Sequence, residues 1–188
     1  MLYRKFGKKS IDILLSFTGI ILLSPLFLVI ALWIKFDSKG PVIFKHKRLG
    51  KNCEPIYVLK FRTMVENAVL LGPQYTEDND IRITKIGKFL RKTSLDELPQ
   101  FINVFKGDMS IIGPRPDAYT NIPTDIQKMR TSVLPGITGL AQVNGRSSLD
   151  EETRGSYDLE YVEKYSFIYD LKIFIKTILI VILRKGTN

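Results

Sequence analysis

The chain has 188 residues, of which 28 are Lys or Arg and 19 are Asp or Glu, so its formal net charge is +9. This length suits one domain with membrane elements, and the basic excess suits an anionic membrane surface or phosphorylated substrates. Nucleic acid is disfavoured as a partner because the basic residues are dispersed and no nucleic-acid motif is present. A single cysteine, Cys53, and a single histidine, His46, disfavour a zinc site and leave no internal disulfide. His46 lies between two lysines and is predicted to be a surface residue.

The N-terminal segment 1–36 is predicted to insert into a membrane. Basic residues precede an apolar run at 11–34, whose helix would be about 36 Å long against a bilayer core of about 30 Å. Ser24 and Pro25 break the run near its middle, and the basic flanks on both sides favour the cytoplasm for both ends. We therefore expect a re-entrant helix–break–helix over 1–36, in which Ser24 bonds a carbonyl freed by Pro25. A spanning helix with a proline kink is the alternative.

Two short strands at 42–44 and 56–59 are predicted to form a hairpin around a turn at Gly50-Lys51-Asn52. Lys60 and Arg62 follow the second strand. Their side chains would face either solvent and lipid headgroups or the wall of a binding site.

Two adjacent carboxylates lie at a predicted helix start within 93–100. Thr93 or Ser94 can cap this helix, and the spacing from Ser94 to Glu97 is that of a capping box. Pro99 fits only near a helix start, so we expect the helix to begin close to Asp96. Its buried face is predicted from apolar residues at helical spacing, which are Leu95, Leu98, Ile102 and Phe105.

Asp96 and Glu97 would point about 100° apart on a helix, so they cannot make the same contact. One carboxylate could act as a nucleophile and the other could hold a metal ion. Alternatively, both only stabilise the helix N-terminus, where acidic residues are common. Arg91 is expected near them, either binding a phosphate or forming a simple ion pair.

A rigid arginine follows this helix after a short turn. In Gly113-Pro114-Arg115-Pro116, two prolines fix the backbone around one guanidinium, which suits bidentate capture of a diphosphate. We expect Arg115 to return to the site of Asp96.

The C-terminal part is predicted to be helical apart from one loop. Helices are expected over 119–133 and from Asp150 through Tyr165, with a loop of unusual backbone angles at 135–139. Arg146 could place a second guanidinium on a nucleotide. The apolar run at 173–183 is too short to span a membrane, and its basic flanks predict an interfacial amphipathic helix over about 167–185. A buried helix of a soluble domain is the alternative.

Together these segments resemble the monotopic phosphoglycosyl transferases, also called bacterial sugar transferases. The matching motifs cover nearly the whole chain in order and are very specific as a set. They are Lys60-Phe61-Arg62-Thr63-Met64, Ser94-Leu95-Asp96-Glu97-Leu98-Pro99-Gln100, Gly113-Pro114-Arg115-Pro116, Leu134-Pro135-Gly136-Ile137-Thr138-Gly139-Leu140-Ala141-Gln142-Val143-Asn144-Gly145-Arg146, and Tyr157-Asp158 with the apolar tail after it.

The resemblance implies an enzyme at the cytoplasmic face of the bacterial inner membrane. It would move a phospho-sugar from a UDP-sugar to polyprenol phosphate, usually undecaprenyl phosphate, and release UMP as the first membrane step of glycan or glycoconjugate assembly. Asp96 would form an aspartyl phospho-sugar, and Glu97, with Asp96 beside it, would bind Mg²⁺. Phosphates and nucleotide would be held by basic residues, which are Arg115, Arg146, Arg91 and Lys60.

The implied fold is α+β and mainly helical. A monotopic protein is expected, with the re-entrant helix at 1–36 and a cytoplasmic catalytic domain at 37–188 that contains a small β-hairpin. Asp158 matches a family position but has no derivable chemical role, so it is either structural or part of the site. Anionic membrane lipids, downstream glycosyltransferases and self-association are the further partners considered.

Two other functions stay open at the level of sequence. The lipid phosphate could attack the donor directly in a ternary complex, although the polytopic transferases that work this way have more membrane segments. A basic membrane-anchored scaffold without activity is the other, but it would leave the Asp96-Glu97 pair and the Pro-bracketed arginine unexplained.

Overall fold

The computed structural model describes residues 2–72, 80–145 and 148–183. It is a mainly helical α+β arrangement with a long apolar N-terminal helix and two small sheets, which confirms the predicted fold class at this level. The helices are α1 (Lys8–Asp37), α2 (Lys85–Thr93), α3 (Gln100–Lys106), α4 (Asp125–Arg130), α5 (Leu140–Asn144), α6 (Glu151–Lys164) and α7 (Phe167–Ile182). The strands are β1 (Ile43–Leu49), β2 (Pro55–Phe61), β3 (Ser110–Ile112) and β4 (Gly136–Thr138).

Helix α1 runs without interruption through Pro25. Because proline has no N–H, the carbonyl of Ile21 loses its usual partner in the helix. The Ser24 hydroxyl donates a hydrogen bond to that carbonyl at 2.8 Å, as predicted. The predicted break in the helix at Ser24-Pro25 is therefore wrong, since the serine replaces the missing bond and the helical backbone continues. Re-entrant insertion stays a prediction.

One stripe of α1 contacts the rest of the domain along the whole helix. Asp12 is buried near the N-terminal end, Gly19 lies against the ring of Phe101, and Ile30 and Ile34 are buried towards the C-terminal end. These positions are separated by whole helical turns, so they share one side of the helix. Most of the other apolar side chains of α1 are exposed. Among the described residues, the helical stretch Tyr3–Asp37 is long and apolar enough to cross a membrane, and an 18-residue window within it has a mean hydropathy of 2.6.

Buried polar contacts anchor the N-terminal end of α1. The carboxylate of Asp12 accepts a hydrogen bond from the Ser110 hydroxyl of β3 at 2.7 Å. The carboxylate of Asp170 on α7 accepts bonds from the Lys8 ammonium at 2.6 Å and the Tyr161 hydroxyl at 2.9 Å. Charges that packing removes from water need such partners. This end of α1 is consequently fixed to β3, α6 and α7.

The predicted hairpin is confirmed, and its strands are longer than expected. Strands β1 and β2 pair antiparallel, with Ile43 opposite Phe61 and Leu49 opposite Pro55. Beyond β2, the guanidinium of Arg62 donates to the carbonyls of Ser38, at 2.8 Å, and of Lys39. Arg62 therefore caps the C-terminal end of α1.

Strands β3 and β4 form a parallel pair in the main core. Gly136 adopts an extended strand conformation, so the predicted loop of unusual backbone angles is wrong. The glycine is needed because a Cβ atom at Gly136 would lie 2.1 Å from the backbone nitrogen of Gly113. The core around this pair is formed by buried apolar side chains: Val58, Val104, Met109, Ile111, Ile112, Val143, Tyr161 and Ile173.

Helix α7 has apolar side chains on both its inner and outer sides. Ile173 is buried in the main core, with Phe174 and Ile180 packed beside it. The outer side chains, including Leu171 and Leu179, are exposed. An apolar surface of this kind suits contact with lipid, and it agrees with the predicted interfacial helix over about 167–185 better than with a fully buried helix.

Candidate active site

A single turn of 3-10 helix, Leu95–Glu97, presents the two adjacent carboxylates. Ser94 has left-handed backbone angles, with φ of 57°, and ends α2. Helix α3 begins only at Gln100, so the predicted start near Asp96 and the Ser94–Glu97 capping box are wrong. The reason is tertiary, because Leu95 and Leu98 both pack into the cluster formed by α1, β2 and α2 and hold the turn between the helices.

The predicted apolar face is correct for its first part only. Leu95 and Leu98 are partly buried, whereas Phe105 is 45% exposed and stacks on Phe17 of α1 with ring centroids 5.8 Å apart. The buried residues of α3 are instead Gln100, Asn103 and Val104.

Glu97 is held by two cations from different elements. Its Oε1 atom accepts bonds from the Lys60 ammonium of β2 at 2.7 Å and from the Arg115 guanidinium at 2.8 Å. Burial alone would raise the pKa of Glu97, but the charges and hydrogen bonds of Arg115 and Lys60 outweigh burial and lower the pKa to about 2. Glu97 is therefore ionised throughout the physiological range.

Asp96 has the opposite electrostatics. Burial, followed by the negative charge of Glu97, raises its pKa to about 6, while Lys60 and Arg91 act in the other direction. Neighbouring carboxylates with pKa values pushed apart are suited to different tasks. Asp96 is mostly ionised at neutral pH, yet it is less stabilised by partners than Glu97, which suits a nucleophile.

Arg91 lies beside this pair, as predicted. Its Nε atom donates to the hydroxyl of Thr63 at 2.9 Å, and its charge acts on Asp96. Thr63 follows β2, so the Lys60-to-Met64 motif contributes one cation directly and orients another. Arg62 of the same motif does not line the site, because it is turned to the end of α1.

Arg115 is presented by a loop that is fixed at several points. The carbonyl of Pro114 accepts a bond from Gly136 N at 2.8 Å, and the carbonyl of Asp117 accepts one from Leu49 N at 3.0 Å. The guanidinium of Arg130 binds the Asp117 carboxylate at 2.6 Å and the Arg115 carbonyl at 3.4 Å. The backbone that carries the exposed Arg115 side chain is thus held in place at several points.

Asp158 lies beneath this loop rather than beside Asp96. It is fully buried, and its Oδ2 atom is 2.5 Å from Arg130. Burial raises the pKa of Asp158 to about 6 despite the charge of Arg130. Asp158 is therefore positioned to act through Arg130 on the loop that carries Arg115, which favours the structural alternative over a place beside Asp96.

The structure thus brings together five predicted residues, which are Asp96, Glu97, Lys60, Arg91 and Arg115. Ser24 and Pro25 are on α1, and Arg146 lies outside the described residues. Sequence reasoning missed Thr63, Arg130, His46 and Arg48. The prediction that His46 is a surface residue is confirmed only in part, because its ring is half-buried and bonds to Arg48. Strand alternation could have placed both residues on the face of the hairpin that carries Lys60.

The two carboxylates fit a magnesium ion that is shared with substrate. Mg²⁺ is typically bound by one or two protein carboxylates together with substrate phosphates and water. Asp96 and Glu97 supply this number, and both cations on Glu97 bind its Oε1 atom. Within the described ranges, no group of three or more His, Cys, Asp or Glu residues could hold a metal by protein ligands alone.

The profile of the family described as bacterial sugar transferase matches residues 3–184, which is nearly the whole chain. The chain belongs to the bacterial sugar transferase family. Its site motifs and the matched region coincide, so the geometry above is the geometry of a family member.

Named relatives extend across several bacteria. A UDP-glucose:undecaprenyl-phosphate glucose-1-phosphate transferase of Klebsiella pneumoniae is 48% identical over 185 residues, covering 91% of this chain and 39% of the relative. A UDP-N-acetylgalactosamine-undecaprenyl-phosphate N-acetylgalactosaminephosphotransferase of Aeromonas hydrophila is 42% identical, covering 92% of this chain and 43% of the relative. The exopolysaccharide production protein ExoY of Rhizobium meliloti is 39% identical, covering 96% of this chain and 88% of the relative. The bacterial sugar transferase chain described here thus spans about two fifths of the first two relatives and most of the third.

Proposed function

We propose that this chain transfers a sugar-1-phosphate from a UDP-sugar to polyprenol phosphate. The observation that carries the proposal is a half-buried Asp96 with a raised pKa, next to a Glu97 that two cations hold ionised. Membership of the bacterial sugar transferase family supports it, as do two relatives whose names specify UDP-sugar donors and undecaprenyl phosphate. The sugar of the donor is not part of the proposal.

In the first step, a carboxylate oxygen of Asp96 attacks the donor phosphorus that is bonded to the sugar through oxygen. A bond forms between the Asp96 oxygen and this phosphorus, and the bond from the phosphorus to the bridging oxygen of the diphosphate breaks. UMP leaves with the bridging oxygen, and Asp96 carries the phospho-sugar. The cations around Asp96 stabilise the charge that spreads over the phosphoryl oxygens.

In the second step, a phosphate oxygen of the polyprenol phosphate attacks the same phosphorus. The bond to Asp96 breaks, the free carboxylate returns, and the sugar is joined to the lipid through a diphosphate. Because the two anionic substrates react in turn, the site never has to neutralise both at once.

Lys60, Arg91 and Arg115 would neutralise and orient the phosphates, and Glu97 would hold Lys60 and Arg115 in place. Glu97 and Asp96 are the residues that would bind Mg²⁺. When bound, the ion would supply positive charge to the phosphate oxygens.

We also propose that α1 lies at the membrane with both of its ends on the cytoplasmic face. Support comes from anchoring at both ends, since Lys8 is bound to Asp170 and the carboxylate of Asp37 accepts a bond from Ile86 N at 3.1 Å. A spanning helix would have to leave the domain at one end. The exposed apolar sides of α1 and α7 would then face lipid, next to a site that a lipid phosphate can reach.

The test uses purified protein, Mg²⁺ and UDP-glucose or UDP-N-acetylgalactosamine labelled in the sugar, with no lipid. We expect UMP release in an amount equal to the enzyme, label on a peptide containing Asp96, and discharge of that label by undecaprenyl phosphate. Asp96→Asn should abolish the adduct. The matched control is Asp125→Asn, which removes an exposed carboxylate of α4 that pairs with Lys128 at the surface.

Two other outcomes would favour the alternatives, which are direct transfer to the lipid and a scaffold without activity. Product formation with lipid but no adduct with any donor would favour direct attack by the lipid phosphate. Neither product nor adduct with a broad donor panel, from protein that melts cooperatively, would favour a scaffold without activity.

A further inference from the structure

His46 and Arg48 form a pair on the hairpin face that carries Lys60. His46 lies opposite Val58 and Arg48 opposite Ile56, two and four positions along β2 from Lys60. Side chains at such positions of an antiparallel pair share one face. The guanidinium of Arg48 lies 3.2 Å from Nδ1 of His46. Lys60, which binds Glu97, thus shares one face of the hairpin with His46 and Arg48.

Arg48 is also next to the loop of Arg115. Its backbone bridges to Ala118, and the following residue bonds to the Asp117 carbonyl at 3.0 Å. The charges of Arg115, Asp117 and Glu97 all act on the guanidinium. Arg48 is therefore a member of the charged cluster at the site.

Within the described ranges, Arg48 forms no ion pair with a carboxylate, whereas Arg115 has one such pair and Arg130 has two. The side chain of Arg48 contacts His46, which is neutral at pH 7 because burial and then the charges of Arg48 and other cations lower the pKa of His46 to about 4. A half-buried guanidinium without an anion is unfavourable until an anion arrives. The charge of Arg115 adds to this cost, whereas Asp117 and Glu97 act in the other direction without forming an ion pair with Arg48.

We propose that Arg48 binds a substrate phosphate group and that His46 orients its guanidinium for this contact. The inference rests on the proposed function and adds a cation to its site. The phosphate could belong to the UDP-sugar or to the polyprenol phosphate, and both present the same anionic oxygens. His46 is a positioning residue, because its Nδ1 atom takes one N–H of the guanidinium and leaves the others directed to the phosphate.

The first arm measures binding without turnover. In an Asp96→Asn background, UDP-glucose and UDP are titrated calorimetrically with and without Arg48→Gln. We expect the substitution to weaken nucleotide binding about 10- to 100-fold if the donor is the source, the usual effect of losing a charged hydrogen bond. Lys45→Gln is the matched control, since it removes one positive charge from the exposed face of the same strand.

The second arm separates the two sources of phosphate. If Arg48→Gln leaves nucleotide binding and adduct formation intact but slows discharge by undecaprenyl phosphate at least tenfold, the lipid phosphate is the ligand. If binding, adduct formation and discharge all stay within twofold of wild type, the proposal is overturned and Arg48 serves only to hold the neighbouring loop. Arg48→Met, which keeps the apolar stem, replaces Arg48→Gln if the glutamine variant melts early.

The positioning role of His46 is tested by measuring KM and kcat separately in two variants. His46→Phe should raise KM for the substrate identified above several-fold with kcat nearly unchanged, and His46→Gln, which keeps an acceptor, should restore KM. Equal losses in both variants, with lowered melting temperatures, would refute the positioning role. If wild-type protein forms no adduct but nucleotide binding still depends on Arg48, the proposed chemistry fails while the anion site stands.

Discussion

Acidification should stop the first half-reaction through protonation of Asp96. With a pKa of about 6, this carboxylate is about nine-tenths ionised at pH 7, half ionised near pH 6 and about one-tenth ionised at pH 5. Only the ionised form is a nucleophile, so activity falls as the pH falls through the pKa. We expect the rate of adduct formation to drop about tenfold between pH 7 and pH 5, with its midpoint near 6.

Two substitutions should move this midpoint in opposite directions. The charge of Lys60 lowers the pKa of Asp96, so Lys60→Gln should shift the midpoint upward. The charge of Glu97 raises that pKa, so Glu97→Gln should shift it downward. Both substitutions also reduce the maximal rate, but the position of the midpoint is read independently of amplitude.

The assay is rapid-quench measurement of UMP release without lipid, from pH 4.5 to 8 at constant ionic strength. Donor is kept well below saturation, because the profile then reports the free enzyme rather than the complex. Lys45→Gln should leave the midpoint unchanged. A wild-type midpoint near the ordinary aspartate value, or shifts of the same sign in Lys60→Gln and Glu97→Gln, would refute the electrostatic account of Asp96.

Three further outcomes follow from the packing. Asp158→Ala should lower the free energy of unfolding by about 3–5 kcal/mol in chemical denaturation, because it leaves a buried guanidinium with one anion fewer; a loss below about 1 kcal/mol would contradict the buried pair. Gly87→Ala should lower the melting temperature markedly, since a Cβ atom there would lie 2.0 Å from the Thr63 carbonyl oxygen, and an unchanged melting curve would show that α2 can move away. With the native cysteine replaced, Lys5→Cys and Lys39→Cys should both react with an impermeant maleimide in inside-out vesicles only, whereas reaction from opposite sides would mean that α1 spans the membrane.

Local signals in the sequence were sufficient for several features. The alternation and turn residues of the hairpin, the Asp150 start of α6 and the apolar length of α1 all depend on neighbours within a few residues. The hydrogen bond from Ser24 to the Ile21 carbonyl was predictable for the same reason, since proline always deprives the carbonyl four residues earlier. The motifs also identified the carboxylate pair and Arg115, because these residues lie in short conspicuous segments.

Features that depend on long-range contacts could not be read this way. Helix α3 begins at Gln100 rather than at the predicted Asp96, because Leu95 and Leu98 pack against apolar side chains that are distant in the sequence. The break at Pro25 was predicted from the proline alone, yet a serine bond and packing along the domain keep α1 helical. Asp158 pairs with Arg130 of α4, and nothing in the sequence near Asp158 indicates this partner.

By itself, the sequence determined the chemical inventory of this protein: an Asp-Glu pair, a set of cations, a rigid arginine and apolar helices for a membrane. Only the tertiary structure decided how that inventory is divided. It gave Glu97 two cations and a low pKa, left Asp96 with a raised one, turned Arg62 away, and brought Arg48 with His46 towards the site. The physical reason is that charge interactions and burial depend on distances between groups far apart in the chain, and these distances exist only after folding.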